Sequence, residues 1–324
     1  MLELKNINKS FEKTEVLKDI NLHIKKGEVV SLLGLSGSGK STILNIISGF
    51  ETPCNGEVIY KEKTLSSTNK FIDPEDRNIG FVFQNYALFP HLNVYKNITF
   101  GINKKPREEK DKIVSGLLKL INLEGYEKRF PHELSGGQQQ RIALVRSMAL
   151  NPELILLDEP FSSIDSMAKA SIQKELLQIL KGSAKTAIIV THDAKEAMAM
   201  SDRIVYLEKG KIVQFDTPQN IYNKPKTKLI AKSFGKANFI KKDETEYCIR
   251  PKYCTISKDS GEYKAKISDI TNFGEALHIT ISFRFQTEDY EFLIIDEDFE
   301  HTYNIDDMIY LDIDYKKAVV IEKS

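Results

Sequence analysis

An α/β core with an inserted helical segment, followed by a small β-rich domain, is the fold class this sequence predicts, and three patterns carry it. Residues 29–33, 154–157 and 186–190 are short apolar runs rich in branched side chains. Each is followed by a polar turn, as strands buried on both faces of a parallel sheet are. Residues 41–48 and 168–180 follow the first two runs as helical segments, which gives the alternation of an α/β core. Between about 85 and 150 the pattern changes, and Ile113, Leu117, Leu118, Leu120 and Ile121 recur at helix-like spacing. Beyond about 225–238 it changes again: Ile279, Ile281, Phe283 and Phe285 alternate with polar residues, as in a half-buried strand.

Strand-like runs around Cys248, Ile267, Ile279, Phe292, Tyr310 and Val319 suggest a small β-barrel of OB type at the C-terminus. The expected organisation is therefore a first domain over 1–234, with a helical subdomain at about 85–150, and an OB-like second domain over 235–324. At 324 residues the chain has room for one large and one small domain.

Composition narrows the function. Apolar residues make up 41% and charged residues 28%, and no apolar run approaches the ~20 residues needed to span a bilayer. Met1-Leu2-Glu3-Leu4-Lys5-Asn6 lacks the apolar stretch of a signal peptide, so a cytoplasmic protein is expected. Cys54, Cys248 and Cys254 show no metal-type spacing and read as free thiols of a reducing compartment. The balance of 46 Lys/Arg and 46 Asp/Glu hides an asymmetry, because residues 235–324 hold 12 basic against 19 acidic side chains. An acidic tail disfavours nucleic acid.

Four motifs carry chemistry. Gly34-Leu35-Ser36-Gly37-Ser38-Gly39-Lys40-Ser41-Thr42 matches G-x-x-x-x-G-K-[ST], after a strand and opening a helix. In such a loop backbone amides cradle phosphates, the Lys40 position reaches the β- and γ-phosphates of ATP, and Ser41 offers its hydroxyl to Mg²⁺. Asp158 and Glu159 end the second apolar run, where one carboxylate can hold the metal and the other can act as general base. The alternative, a helix cap before Pro160, is disfavoured because the phosphate loop supplies the metal's other ligand. Leu134-Ser135-Gly136-Gly137-Gln138 offers backbone N–H groups and a hydroxyl to a second anion if a helix begins behind it. His192 follows the third run and Gln84 follows Phe81-Val82-Phe83; singly they read as a core histidine and a surface glutamine.

In that order and spacing, residues 1–234 resemble the ATP-binding-cassette ATPases. The resemblance implies that Phe11 stacks on adenine, in place of the commoner tyrosine. It implies that Leu134 to Gln138 is the signature motif, with Ser135, Gly136, Gly137 and Gln138 meeting ATP. It makes Asp158 a metal partner beside Ser41 and Gln84, and Glu159, His192 and Gln84 the catalytic group. Ser163-Ile164-Asp165 stands where the family has Ala-Leu-Asp, so Asp165 is expected at a dimer contact. In this family the phosphate loop and the signature face outward at opposite ends, so the signature serves the ATP of a second copy and a homodimer is implied.

Soluble cassettes acting on DNA or ribosomes carry a long coiled-coil insertion or paired cassettes, and a pure regulatory binder needs no Glu159 or His192. A transporter ATPase is the reading left. Lys236-Ala237-Asn238-Phe239 and Ile249-Arg250-Pro251 are similar to the transport-associated OB-type domain of importer ATPases. That implies a peripheral protein on the cytoplasmic face of the inner membrane, working with a separate permease and indirectly with a substrate-binding protein. Residues 71–77 look most like ferric-iron importers, with polyamine, sugar and sulfate importers as alternatives.

Overall fold

In the computed structural model, residues 1–162, 164, 166–297 and 303–321 are described, without the side chains of 166–168. Contacts separate the chain into two compact units, Met1–Pro218 and Gln219–Ser324. The division falls at 218/219, ahead of the change of character read at 234/235.

Unit 1 opens with an antiparallel hairpin, β1 (Leu2–Phe11) and β2 (Thr14–Ile24), then β3 (Val29–Gly34) and α1 (Lys40–Ser48). β4 (Asn55–Tyr60), β5 (Lys63–Ser67), β6 (Lys70–Phe71) and β7 (Ile79–Val82) follow. The helical segment holds α2 (Val94–Thr99), α3 (Arg107–Leu120) and α4 (Gly136–Met148). β8 (Leu154–Asp158), α5 (Ser166–Gly182), β9 (Thr186–Val190), α6 (Ala194–Met200), β10 (Arg203–Glu208) and β11 (Lys211–Asp216) complete it.

Two sheets form the frame. The first has the order β2-β1-β4-β5-β6; the second has β11-β10-β3-β9-β8-β7, parallel except for β11. The second sheet is buried on both faces. Val30, Leu32, Leu154, Leu156, Ile188 and Val190 join one apolar cluster with α1 and the hairpin, while Ile155, Leu157, Ala187 and Ile189 join another with α2 to α5. That two-sided burial is why β3, β8 and β9 are continuous apolar runs.

The hairpin is where the alternation is broken. β1 buries Leu2, Leu4 and Ile7, and β2 buries Leu17, Ile20, Leu22 and Ile24. The inward set slips by one residue at Asn6 (φ 48) and at Asp19 (φ 51), where the register of the pair also shifts. Such bulges turn the next side chain back to the core.

Unit 2 begins at the division with the helices α7 (Pro218–Asn223) and α8 (Lys228–Ser233), then β12 (Asn238–Lys242), β13 (Thr245–Ile249), β14 (Cys254–Ser257) and β15 (Tyr263–Asn272). β16 (Leu277–Phe285), β17 (Glu288–Asp296), β18 (Met308–Ile313) and β19 (Val319–Val320) end it. They pair as two antiparallel sheets, β12-β13-β19 and β14-β18-β15-β16-β17, around one core that includes Ile240, Ile267, Ile281, Phe292 and Leu311. All six expected strands are present; β12 and β14, four or five residues long, add to them. No described helix is long and apolar enough to cross a membrane.

Candidate functional site

The first loop of the site exists because β3 stops at Gly34 and α1 starts at Lys40, leaving five residues to reverse the chain over the helix N-terminus. Gly39 is the N-cap at φ 102, and a Cβ there would sit 2.5 Å from Leu17 Cδ2 and 3.1 Å from the Val16 carbonyl. Only glycine fits that combination of backbone and wall. Lys40 curls back over the loop, and its Nζ donates to the Gly34 carbonyl at 2.9 Å and to the Leu35 carbonyl at 3.0 Å. Burial holds the Lys40 ammonium below its ordinary 10.5, against the opposing pull of Glu159 and Asp158. Ser38 is buried and its hydroxyl has no hydrogen-bond partner among the described residues. A loop with an orphaned hydroxyl and a lysine satisfied only by carbonyls fits an anion.

The second half of the site comes from the strand ends beside β3. Asp158 closes β8, and the Ser41 hydroxyl donates to its Oδ1 at 3.2 Å. Burial pushes the Asp158 carboxyl above its ordinary 3.8, with the Ser41 bond and Lys40 pulling the other way. At Glu159 the backbone turns left-handed (φ 43), and its N–H donates to the Val190 carbonyl at the end of β9 at 3.0 Å. A non-glycine residue held there carries about 1 kcal/mol or more of strain, of the kind concentrated at functional sites.

Glu159 is the meeting point of three distant segments. Its Oε2 accepts from Gln84 Nε2 at 3.3 Å and lies 3.4 Å from His192 Nδ1. His192 is presented by a fastened turn: Thr191 Oγ1 accepts the Asp193 N–H at 3.0 Å, and the Asp193 carboxylate caps α6 through the Lys195 and Glu196 N–H groups. Thr191 also bonds the buried Glu196, which pairs with Lys169 of α5.

A cleft of about 410 Å³ has Lys40, Ser41, Glu159 and His192 in its walls, together with Phe11, Val16, Ser36, Gly37 and Thr42. Phe11 lines the cleft and is 42% exposed, so its ring is accessible for stacking, with Lys9 Nζ 4.7 Å from the ring centroid. Sequence reasoning missed Val16, which sits in the hairpin with no motif to mark it.

None of residues 134–138 lines this cleft among the described residues. Ser135 is the N-cap of α4, in a reciprocal capping box: the Gln138 N–H donates to Ser135 Oγ at 3.4 Å, and the Ser135 N–H donates to Gln138 Oε1 at 3.0 Å. A Cβ on Gly137 would meet Ile172 Cδ1 of α5 at 2.7 Å. The expected contact residue Asp165, with Ser163, lies outside the described residues.

Comparisons with known proteins identify the family. The family profile described as "ABC transporter" matches residues 17–162. The "Fe(3+) ions import ATP-binding protein FbpC 2" of Haemophilus influenzae is 41% identical over 304 residues, covering 90% of this chain and 85% of that protein. The "Spermidine/putrescine import ATP-binding protein PotA" of Clostridium novyi is 47% identical over 242 residues, covering 74% and 69%. Among solved structures, the dimeric post-hydrolysis state of the ATP-binding cassette MJ0796 bound to ADP and Pi superposes with a TM-score of 0.58 at 38% identity. It covers 67% of this chain and 99% of that one. With these relatives, the chain belongs to the ABC transporter family and is one of its ATP-hydrolysing ATP-binding subunits.

Proposed function

We propose that this chain powers an importer as a head-to-tail homodimer, each ATP lying between the phosphate loop of one copy and Ser135, Gly136, Gly137 and Gln138 of the other. The observation that carries this reading is the split in the site. Lys40, Ser41, Glu159 and His192 line one cleft, with Asp158 bonded to Ser41 and Gln84 to Glu159, while among the described residues the capped N-terminus of α4 neither lines it nor bonds to these residues.

The roles follow from position. Phe11 stacks on adenine, the amides of residues 34–39 wrap the phosphates, and Lys40 exchanges two carbonyls for phosphate oxygens. Ser41, Asp158 and Gln84 supply oxygen donors suited to Mg²⁺. No set of three His, Cys, Asp or Glu side chains converges among the described residues, so phosphate and water would complete the shell, as this metal prefers. The metal would neutralise charge developing on the transferred phosphoryl group. Glu159 takes the proton of the attacking water, and Gln84 and His192 orient it. Asp165 makes a contact between copies.

ATP touches both copies only in the closed dimer, so it binds that state more tightly and shifts the population towards it. The loop from Gln84 to His91 passes the motion to a membrane permease at the cytoplasmic face of the inner membrane, where a substrate-binding protein delivers cargo; nucleic acid has no part. Unit 2 is assigned as an OB-type barrel because two antiparallel sheets share one apolar core. Ferric iron is the proposed cargo, supported by alignment of the ferric-ion relative across 90% of the chain. Polyamine is the second reading, supported by 47% identity over 242 residues with the spermidine/putrescine relative.

Purification of the chain from detergent-solubilised membranes tests the importer reading, followed by uptake of labelled Fe³⁺, spermidine and putrescine by the permease that accompanies it. Uptake that needs ATP and is lost with Lys40→Ala is expected; absence of any membrane protein in the complex would refute it.

A further inference from the structure

Arg146 lies about three helical turns along α4 from Ser135, far from the nucleotide cleft in sequence, yet it ends on the segment that follows Gln84. Its Nη1 donates to the Ala87 carbonyl at 2.6 Å and its Nη2 to the Tyr86 carbonyl at 3.1 Å. The guanidinium lies 5.6 Å from the centroid of the Phe89 ring. Burial lowers its pKa, and no carboxylate among the described residues counters that effect, so the charge is directed at main-chain oxygens.

The two residues it grips are both left-handed, Tyr86 at φ 61 and Ala87 at φ 47. Two such residues in succession are disfavoured, since a Cβ is costly in the left-handed region at each position. Local bonds contribute, with the Tyr86 N–H donating to the Phe83 carbonyl at 2.9 Å and the Ala87 N–H to the Asn85 carbonyl at 2.7 Å. Farther along, the fully buried Asn97 of α2 fixes Phe89, Leu92 and Asn93 through its side-chain amide. The stretch directly after Gln84 is thus an unfavourable backbone held in place from α4. Strain kept by a specific clamp is the pattern in which a strained segment serves a site.

We infer that Arg146 is a positioning residue, whose grip on the carbonyls of Tyr86 and Ala87 fixes where Gln84 stands against Glu159 and ties that position to the helix that begins at Ser135. This rests on the reading of Gln84 as part of the reaction centre. A planar guanidinium can span two carbonyls, whereas a lysine ammonium is a single point.

A double-mutant cycle in ATP hydrolysis by the full chain tests it, with Arg146→Met measured in the wild-type and in the Ala87→Gly backgrounds. Glycine takes the left-handed conformation without penalty, so the turn then needs less holding. In the wild-type background kcat should fall about tenfold with KM for ATP within about twofold, because Arg146 does not line the cleft. In the Ala87→Gly background the fall should be under about threefold. Arg146→Lys, the variant to use if Arg146→Met does not fold, should show the same rescue at smaller amplitude. Equal losses in both backgrounds, or a rise in KM that accounts for the loss, would overturn the inference. Gln84→Ala separates the two readings. Wild-type kcat in that variant removes Gln84 from the reaction centre and the inference with it. A reduced kcat that Arg146→Met lowers further by its full factor leaves Gln84 in place and overturns the role of Arg146 alone.

Discussion

Replacing Gly39 and Gly37 separately by alanine separates two reasons for glycine in the phosphate loop. Both are left-handed, at φ 102 and φ 77. A Cβ on Gly37 meets nothing within 4 Å, so Gly37→Ala bears only the conformational term, about 1–2 kcal/mol. A Cβ on Gly39 would stand 2.5 Å from Leu17 Cδ2 and 3.1 Å from the Val16 carbonyl, and Leu17 is fully buried in the hairpin core. Overpacking of that kind adds about 1–3 kcal/mol. In a unit of this size each kcal/mol lowers Tm by about 2–4 °C. Gly37→Ala should therefore lower Tm by about 2–8 °C and Gly39→Ala by about 4–20 °C in calorimetry without nucleotide. Gly39 is also the N-cap of α1, so relief of the clash displaces Lys40 and Ser41. A shift of ~1 Å should cost hydrolysis about 100-fold. Equal Tm values for the two variants, or a Gly39→Ala protein within about 2 °C of wild type, would refute the argument from the Leu17 wall.

Other expectations concern buried charge. Asp158→Asn should abolish hydrolysis yet raise the nucleotide-free Tm, because burial makes the ionised carboxylate unfavourable. The raised folded pKa means that this cost is fully present above the folded value and is relieved as pH falls through it towards 3.8. Asp158→Asn should accordingly remove a rise in stability on acidification across that window, read as Tm against pH. Arg77 is buried with its pKa lowered to about 10, and donates to the carbonyls of Ile72, Ile46 and Ile47 and to Ser66 Oγ at 2.7–2.9 Å. Arg77→Met should cost about 3–5 kcal/mol by leaving the last carbonyls of α1 unsatisfied, and urea unfolding measures it.

The core of the site was legible because chemistry and burial coincide there. Strands covered on both faces are unbroken apolar runs, and Gly34 to Thr42, Asp158, Glu159 and His192 stand where those runs stop. The hairpin of β1 and β2 was not read, since the bulges at Asn6 and Asp19 move the buried set from even to odd positions within β1 and from odd to even within β2. Long-range bonds were equally hidden. Nothing in the spacing says that Gln84 and His192 converge on one oxygen of Glu159, or that Arg146 grips Tyr86 and Ala87. In unit 2, β12 and β14 are only five and four residues long, and β14 pairs with β18, distant in sequence, which leaves little local signal.

The composite site is tested most directly by the mass in solution of Glu159→Gln and of Glu159→Gln with Ser135→Arg, each with and without ATP. The first variant keeps nucleotide and loses the base, so turnover should fall about 10²–10⁴-fold and ATP should hold a dimer of twice the 36.9 kDa chain. The second should bind ATP within a few-fold of the first and remain a monomer. A double variant that dimerises with ATP as readily as Glu159→Gln alone would contradict the proposal that Ser135 of one copy completes the site of the other.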